Sequence, residues 1–412
     1  MTDVPLPGSL PEWLRRIESM HPADIELGLD RLRDVATRLA VARFAIPVIT
    51  VAGTNGKGST LRLMAALAEQ QGRKVCLYTS PHLHVFNERI RLPDGLASDA
   101  QLCAAFAQVE LARADVPLTY FEFTTLAALW LFKASNADLL LLEVGLGGRL
   151  DAVNIVEPDV SVVTSVGLDH QDWLGSTREA IAAEKCGIAR PGKPLVYGEE
   201  VWPENLVALI STLGAIPVFA GRDFHIGGAT LWLIDGESVS LPEAVRLGAD
   251  NLATACQALS LAGVNWQQAD LTAVAELGLF GRCEQQQIDG VSCWFDVGHN
   301  LPAVQRFLRQ LPDCAGTRHL VFGMMADKPI NGVMALFEGM AVHWYLAAPQ
   351  VPRAASTAML QSALPPTAQY NEYASVSAAT HAALSAASVD DQVIVFGSFY
   401  TVAEAREPGT SW

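Results

Sequence analysis

The sequence predicts an α/β protein: a P-loop-containing, doubly wound, mostly parallel sheet followed by a smaller C-terminal α/β unit of Rossmann-like type. Three observations lead there. Short β-rich runs alternate with longer Ala/Leu-rich stretches, the β-α-β-α order that a doubly wound sheet requires. These runs are apolar almost throughout, which suits parallel strands covered on both faces. The first of them leads into "VAGTNGKGSTLRL" (Val51 to Leu63), where three glycines surround one lysine ahead of a helical stretch.

Taken in order, the expected strands of the first unit are Ile46 to Ala52, Lys74 to Ser80, Asp138 to Val144 and Asp159 to Val166. Between them, "STLRLMAALAEQQG" and "FEFTTLAALWLFKASN" read as helices. The alternating, glycine-bounded run from Gly221 to Leu241 reads as an antiparallel ribbon on the edge of this unit, and Asn251 to Gly263 as a helix. Strand signals resume at Val291 to Val297, Arg318 to Met324, Ala341 to Ala347 and Gln392 to Ser398. The polar stretch from Gly281 to Gly290 shows no periodicity and reads as the boundary, which gives domains of 1–282 and 283–412. A chain of 412 residues exceeds one ordinary core, in keeping with two domains.

Half the residues are hydrophobic and 17% are charged, a composition for a buried core rather than for disorder. The net charge of −16 argues against a nucleic-acid partner. No run approaches the length of a membrane span, and the opening "MTDVPLPGSLPEWLRR" lacks the pattern of a secretory signal. The seven cysteines are scattered, with no C-x-x-C pair, and read as reduced thiols of a cytoplasmic protein.

The glycine-rich loop lies where a phosphate loop belongs, after a buried strand and before a helix. Backbone N–H groups there can face one anion, the helix N-terminus adds partial positive charge, and Lys57 adds a full one. The candidate nucleotide contacts are Gly53, Thr54, Asn55, Gly56, Lys57, Gly58 and Ser59. The spacing departs from the common G-x-x-x-x-G-K-[ST]: Val51 stands at the first glycine, and Gly58 separates Lys57 from Ser59. Without its context the loop would be a glycine-rich turn with an incidental lysine.

"GTNGKGS" at this place resembles the Mur ligase superfamily, ATP-dependent enzymes that form amide bonds to amino acids. The other motifs of that family follow in order: "YTSPHL" (Tyr78 to Leu83), "LLEVGLGGRLDAVN" (Leu141 to Asn154), "TSVGLDHQDWLG" (Thr164 to Gly175), "AAEKCGI" (Ala182 to Ile188), "DNLATACQAL", "GRCE" at Gly281 and "DVGHN" at Asp296. The match is to the folate branch, the bifunctional dihydrofolate synthase/folylpolyglutamate synthase family, and covers essentially the whole chain. Muropeptide-adding members carry a further N-terminal domain, whereas only 50 residues precede this loop.

Ser80, Glu143 and His170 all follow expected strands, so their side chains can meet at the ligand crevice. Hydroxyl, carboxylate and imidazole together suit a divalent cation, and ATP makes Mg²⁺ the natural choice. The resemblance implies these three as magnesium ligands, with Ser59 assisting and two ions present. It implies that Lys185, in a motif expected to open a helix, is carboxylated on its side-chain nitrogen. That reaction needs a neutral amine and hence a depressed pKa. Lys57, Lys185 and His170 are the candidate catalytic residues. Asn251, Arg282 and Asp296 are implied as nucleotide contacts, with His299 and Asn300 near the reacting centre. Gly298 and Leu301 depart from the family's usual alanine and proline, and Tyr400 from a common histidine.

The opening "IESMHPADIELGLDRLRDVATRL" resembles the folate enzymes' N-terminal segment. The resemblance implies a dihydropteroate pocket lined by Ile25, Glu26, Leu27, Thr119, Tyr120, Phe121, Glu122, Leu150, Asp151 and Ala152. Phe121 can stack on a pterin and Asp151 can accept its ring N–H donors; the plainer reading makes Phe121 a core residue and Asp151 a helix cap. The implied substrates are ATP, dihydropteroate, reduced folates and L-glutamate, and the implied oligomeric state is a monomer. The alternatives are a monofunctional folylpolyglutamate synthase and a nucleotide-gated P-loop ATPase switch.

Overall fold

The computed structural model describes residues 6–21, 26 and 28–406. The chain divides into two compact units, Met1–Leu277 and Gly278–Trp412. The division falls ahead of the expected one, so Arg282 goes with the second unit.

The first unit opens with α1 (Leu10–Glu18) and α2 (Asp30–Leu39). Its sheet has eight strands: β1 (Val48–Ala52), β2 (Val75–Tyr78), β3 (Ile90–Leu92), β4 (Gly95–Leu96), β5 (Leu139–Glu143), β6 (Val160–Val163), β7 (Pro194–Tyr197) and β8 (Ile216–Phe219). Their order is β4-β3-β2-β5-β1-β6-β7-β8. Only β3 is reversed, pairing antiparallel with both β2 and β4. The helices are α3 (Lys57–Glu69), α4 (Asp99–Arg113), α5 (Tyr120–Ala134), α6 (Gln171–Leu174), α7 (Arg178–Cys186), α8 (Leu206–Thr212), α9 (Ala249–Leu261) and α10 (Leu271–Ala275).

Every residue of β1, β2, β5 and β6 is buried, as their unbroken apolar runs require for strands covered twice. On one face, Val48, Tyr78, Leu140 and Leu142 share a core with α1, α2, α4 and α5. Farther along the same face, Ala52, Val163, Leu195 and Tyr197 share one with α7 and α8. Helices α3 and α9 pack against each other and against strands of the sheet. Strand β1 lies between β5 and β6, where the chain finishes building one side of the sheet and crosses to the other. Ligands bind at such switch points, outside the carboxyl ends of the strands.

The expected ribbon exists, but as a separate three-stranded antiparallel sheet, β9 (His225–Gly227), β10 (Thr230–Trp232) and β11 (Ser238–Ser240). The sheet edge is β8, which with β7 is too short and too interrupted by proline to stand out in sequence.

The second unit's sheet runs β12-β13-β17-β14-β15-β16. Its strands are β12 (Glu284–Ile288), β13 (Val291–Asp296), β14 (Arg318–Phe322), β15 (Val342–Ala347), β16 (Gln369–Tyr373) and β17 (Gln392–Phe396). Only β12 is antiparallel. Its helices are α11 (Leu301–Gln310), α12 (Ile330–Ala335), α13 (Thr357–Ser362), α14 (Val376–Ala386) and α15 (Phe399–Ala405). The polar stretch read as a boundary is therefore an edge strand. Glu284 to Gln287 show little apolar periodicity because one flank of β12 is unpaired, and β16 at the other edge is polar for the same reason.

Candidate active site

The phosphate loop is held by the segment after β6. The Thr54 N–H donates to the Ser165 carbonyl at 2.9 Å, and the Asn55 N–H to Ser165 Oγ at 2.9 Å. Thr164 Oγ1 donates to the Asn55 carbonyl at 2.6 Å. Thr54 Oγ1 donates to the Gly167 carbonyl at 3.2 Å and accepts the Gly167 N–H at 3.0 Å. Gly53 and Gly56 both have positive φ, at 154° and 87°. A Cβ on Gly53 would run into Thr164, and one on Gly56 would come within 2.6 Å of Asn251 Oδ1.

The irregular spacing has a local explanation. Helix α3 starts at Lys57, with Gly56 as its N-cap, and the Thr60 N–H is the one that reaches back to the Gly56 carbonyl. The N–H groups of Lys57, Gly58 and Ser59 thus belong to the first turn, which has no intrahelical acceptors. Gly58 brings one of those donors without a side chain over it. Lys57 Nζ lies over the loop, donating to the Gly53 carbonyl at 2.9 Å. Asn251, on α9, is buried; it accepts from Thr60 Oγ1 at 3.3 Å and donates to the Leu247 carbonyl.

Strand register sets the neighbours of the loop. Val51 pairs with Glu143 across β1 and β5, so the Glu143 carboxylate ends its strand beside the loop. Glu143 is buried, and its Oε2 accepts the Ser80 N–H at 3.1 Å. Ser59 is buried in the first turn of α3. His170 is not at a strand end: it lies seven residues beyond Val163, caps α6 and has a left-handed φ of 50°. Among the described residues, no three His, Cys, Asp or Glu side chains gather into a metal-holding group.

Lys185 ends a helix rather than opening one: it lies in the last turn of α7. Its side chain is almost wholly buried at 4% exposure. Burial, and then the positive charge of Lys57, bring its pKa down to about 7; Asp169 and Asp151 pull the other way. Cys186 is also buried, and its thiol is pushed up to about 12 by that burial, so it is inert packing. All seven cysteines are free.

Beside the Ser80–Glu143 contact opens a cavity of about 240 Å³. Glu26, Thr119, Phe121, Glu122, Leu150, Asp151 and Ala152 line it together with Ser80, Pro81, Arg89, Gly145 and Leu146. Ile25 and Leu27 lie outside the described residues. Tyr120 is not in the wall; its ring packs edge-on against Phe86 at 6.3 Å. A helix starting at Tyr120 separates successive side chains by 100°, so the four residues Thr119 to Glu122 do not all face one way. Phe121 is half-buried, tilted on Tyr78 at 6.0 Å, and lies so close to Gly145 that a Cβ there would meet its Cζ at 2.6 Å.

Asp151 is the cap that the plainer reading expects, and it also lies in the cavity wall. It caps the short 3-10 turn Ala152–Ile155, accepting from the Val153 N–H at 3.0 Å, and it accepts from the Leu146 N–H at 2.8 Å. It also faces the cavity. Burial raises its pKa to about 6, against those hydrogen bonds and Lys57. Glu122 is buried and caps α5 through the Thr119 N–H at 2.8 Å. Arg31 pairs with Glu122 at 2.9 Å and with Glu26. Sequence reasoning missed Arg31 and Arg89. Arg89 had a signal in "FNERI", next to the quoted motif, but nothing in the chain order alone brings it to the wall.

In the second unit, Asp296 ends β13 and is buried. It accepts from the Cys283 N–H at 2.8 Å and the Gly298 N–H at 2.7 Å. Burial raises its pKa, with Arg282 the largest opposing influence. Residue 298 has reason to be glycine here, since a Cβ would come within 2.7 Å of Asp296 Oδ1. Arg282 lies over the Phe399 ring at 5.3 Å. His299 Nδ1 contacts the Val297 carbonyl at 2.9 Å, and Asn300 caps α11 through the Ala303 N–H. Tyr400 is exposed on α15.

A phosphate loop at the switch point, an oxygen-rich rim and an adjoining cavity define a ligase of the Mur type. Residues 51–194 match the Mur ligase middle domain, and residues 281–399 the Mur ligase glutamate ligase domain. The dihydrofolate synthase/folylpolyglutamate synthase of Escherichia coli K12 is 40% identical over 408 residues, covering 97% of this chain and 95% of its own. The chain belongs to the dihydrofolate synthase/folylpolyglutamate synthase family. Among solved structures, E. coli FolC in complex with DHPP and ADP superposes with a TM-score of 0.91 at 39% identity, over 98% of both chains. The Yersinia pestis bifunctional enzyme complexed with AMPPNP and Mn does so with a TM-score of 0.90 at 37% identity, again over 98% of both.

Proposed function

We propose that this chain is an ATP-dependent amide ligase that adds L-glutamate to dihydropteroate, giving dihydrofolate, and to the γ-carboxylate of reduced folates, giving folylpolyglutamates. The observation that carries this reading is the cavity beside the Ser80–Glu143 contact, lined by Glu26, Thr119, Phe121, Glu122, Leu150, Asp151 and Ala152. It brings a site of pterin size next to a phosphate loop, in a family whose members are named for this reaction. A switch ATPase has no use for it.

Lys57 and the loop N–H groups from Gly53 to Ser59 hold the ATP phosphates, with Asn251, Arg282 and Asp296 as further nucleotide contacts. Arg282 suits a phosphate oxygen and Asp296 a ribose hydroxyl. Ser59, Ser80 and Glu143 offer hard oxygen donors, and His170 an imidazole. The buried Glu143 carboxylate with hydroxyl donors beside it would suit Mg²⁺, a hard cation that keeps several waters. Bound there, the ion would supply positive charge to the phosphates.

Phe121 stacks on the pterin, and Asp151 accepts its ring N–H donors. The substrate carboxylate attacks the γ-phosphorus in line; ADP leaves, and an acyl phosphate remains. Lys57 and the loop donors stabilise the charge on the transferring group. The glutamate amine then attacks the acyl carbon and phosphate leaves with its oxygen. His299 lies near the arriving amino acid. Lys185 reacts as a neutral amine with CO₂, releasing a proton and becoming a carboxylate-bearing side chain. Burial, which depresses its pKa, makes the neutral amine accessible near neutral pH. The enzyme acts as a cytoplasmic monomer.

ADP release measured with dihydropteroate and glutamate singly and together tests the reading. Turnover is expected only with both; turnover indifferent to them overturns it. Glutamylation of tetrahydrofolate without that of dihydropteroate would favour the monofunctional folylpolyglutamate synthase.

A further inference from the structure

Among the described residues, Arg89 is the one basic residue in the wall of the cavity. It ends the 3-10 turn Phe86–Arg89, and its carbonyl accepts the Thr79 N–H at 2.9 Å. Its backbone is therefore fixed beside Thr79, the neighbour of Ser80, whose N–H donates to Glu143. Its side chain is held on three sides. Nε donates to His82 Nδ1 at 2.8 Å, and the guanidinium lies over the rings of Phe86 at 5.7 Å and Tyr120 at 5.6 Å. Among the described residues, no hydrogen bond or ion pair takes its terminal Nη groups.

The charges of the wall differ in this respect. Glu122 and Glu26 are matched by Arg31, and Asp151 accepts two backbone N–H groups. Among the described residues, the positive charge of Arg89 has no such counterpart. A stacked guanidinium with one edge committed and the other open is a preorganised fork for an anion.

We propose that Arg89 is the carboxylate anchor of the cavity: its open Nη edge holds the aryl carboxylate of a bound pteroate beside Ser80, facing the phosphate loop. This rests on the pteroate reading of the cavity given above. Each carboxylate oxygen held by the fork keeps a second lone pair, which is open for attack on phosphorus. The role also explains why a cation stands in a wall otherwise furnished with acids for ring N–H donors.

The test compares two probes, pteroate and its carboxamide, by equilibrium titration of the full chain with ADP present. The unaltered protein is expected to favour pteroate by about tenfold or more, the range of a charge-assisted pair. In Arg89→Gln that preference should fall to about twofold or less, while the carboxamide binds as before. Arg89→Lys, which keeps the charge and loses the fork, should recover part of it. A preference that survives in Arg89→Gln, or equal loss of both probes in both variants, overturns the inference. Failure of the unaltered protein to bind either probe would instead contradict the pteroate reading itself.

Discussion

The phosphate loop and the substrate cavity adjoin each other but are built in opposite ways. The loop is seven consecutive residues that would act mainly through backbone N–H groups, fixed by a helix start and by one strap from Thr164 to Gly167. The cavity draws single side chains from positions as far apart as Glu26 and Ala152. Backbone chemistry can be written in one short motif; side-chain chemistry of this kind needs the whole fold. Damage to the loop should therefore abolish turnover and spare pteroate binding. Damage to the cavity should act on the substrate and spare ATP.

The largest effect is expected at Lys57. Lys57→Ala should lower kcat by about 10²–10³-fold, the usual cost of one preorganised charge donor, with pteroate affinity unchanged by titration. Next, Lys185→Met should reduce turnover about a hundredfold, as for loss of a single transition-state contact, and should abolish any dependence of rate on bicarbonate. With CO₂ excluded, the same residue gives a signature in stability. Its pKa is about 7 in the folded chain against an ordinary 10.5. Between those values the unfolded chain holds one more proton, so stability to urea should rise with pH across that window, and Lys185→Met should flatten the rise.

Asp151 sharpens the other side of the comparison. Burial raises its pKa to about 6, and in the proposed role it would meet the ring donors as the carboxylate. Pteroate binding should weaken as pH falls through about 6, while ADP binding holds. In Asp151→Asn the KM for dihydropteroate should rise about tenfold, the value of one charged hydrogen bond, and this pH dependence should vanish. The smallest effect is expected for Gly145→Ala, which pushes on the Phe121 ring. It should cost about 1–3 kcal/mol of stability as overpacking, read from denaturant midpoints, and should weaken pteroate more than ATP.

The same contrast explains what could be read from sequence. Strands β1, β2, β5 and β6 were legible because double burial makes them apolar runs, and the loop was legible because glycine spacing carries its geometry. Edge strands β12 and β16 were hidden by their polar residues, and β7 and β8 by their brevity. In the cavity, Phe121 and Asp151 came from motif position, whereas Tyr120 does not reach the wall because a helix turns each residue to a new direction. Arg31 was invisible because an ion pair across 91 residues brings it to Glu122, and Arg89, signalled only by its place beside the motif, is brought in by its backbone bond to Thr79. Lys185 was placed at a helix start from an Ala-rich run that extends equally well in either direction.

The central claim is that ATP activates the pteroate carboxylate as an acyl phosphate. Dihydropteroate carrying ¹⁸O in both carboxylate oxygens tests it directly, by mass analysis of the phosphate released during turnover with glutamate. One ¹⁸O in each phosphate is the predicted result, since phosphate leaves the acyl carbon with the attacking oxygen. Unlabelled phosphate, with amide still being formed, would contradict the account.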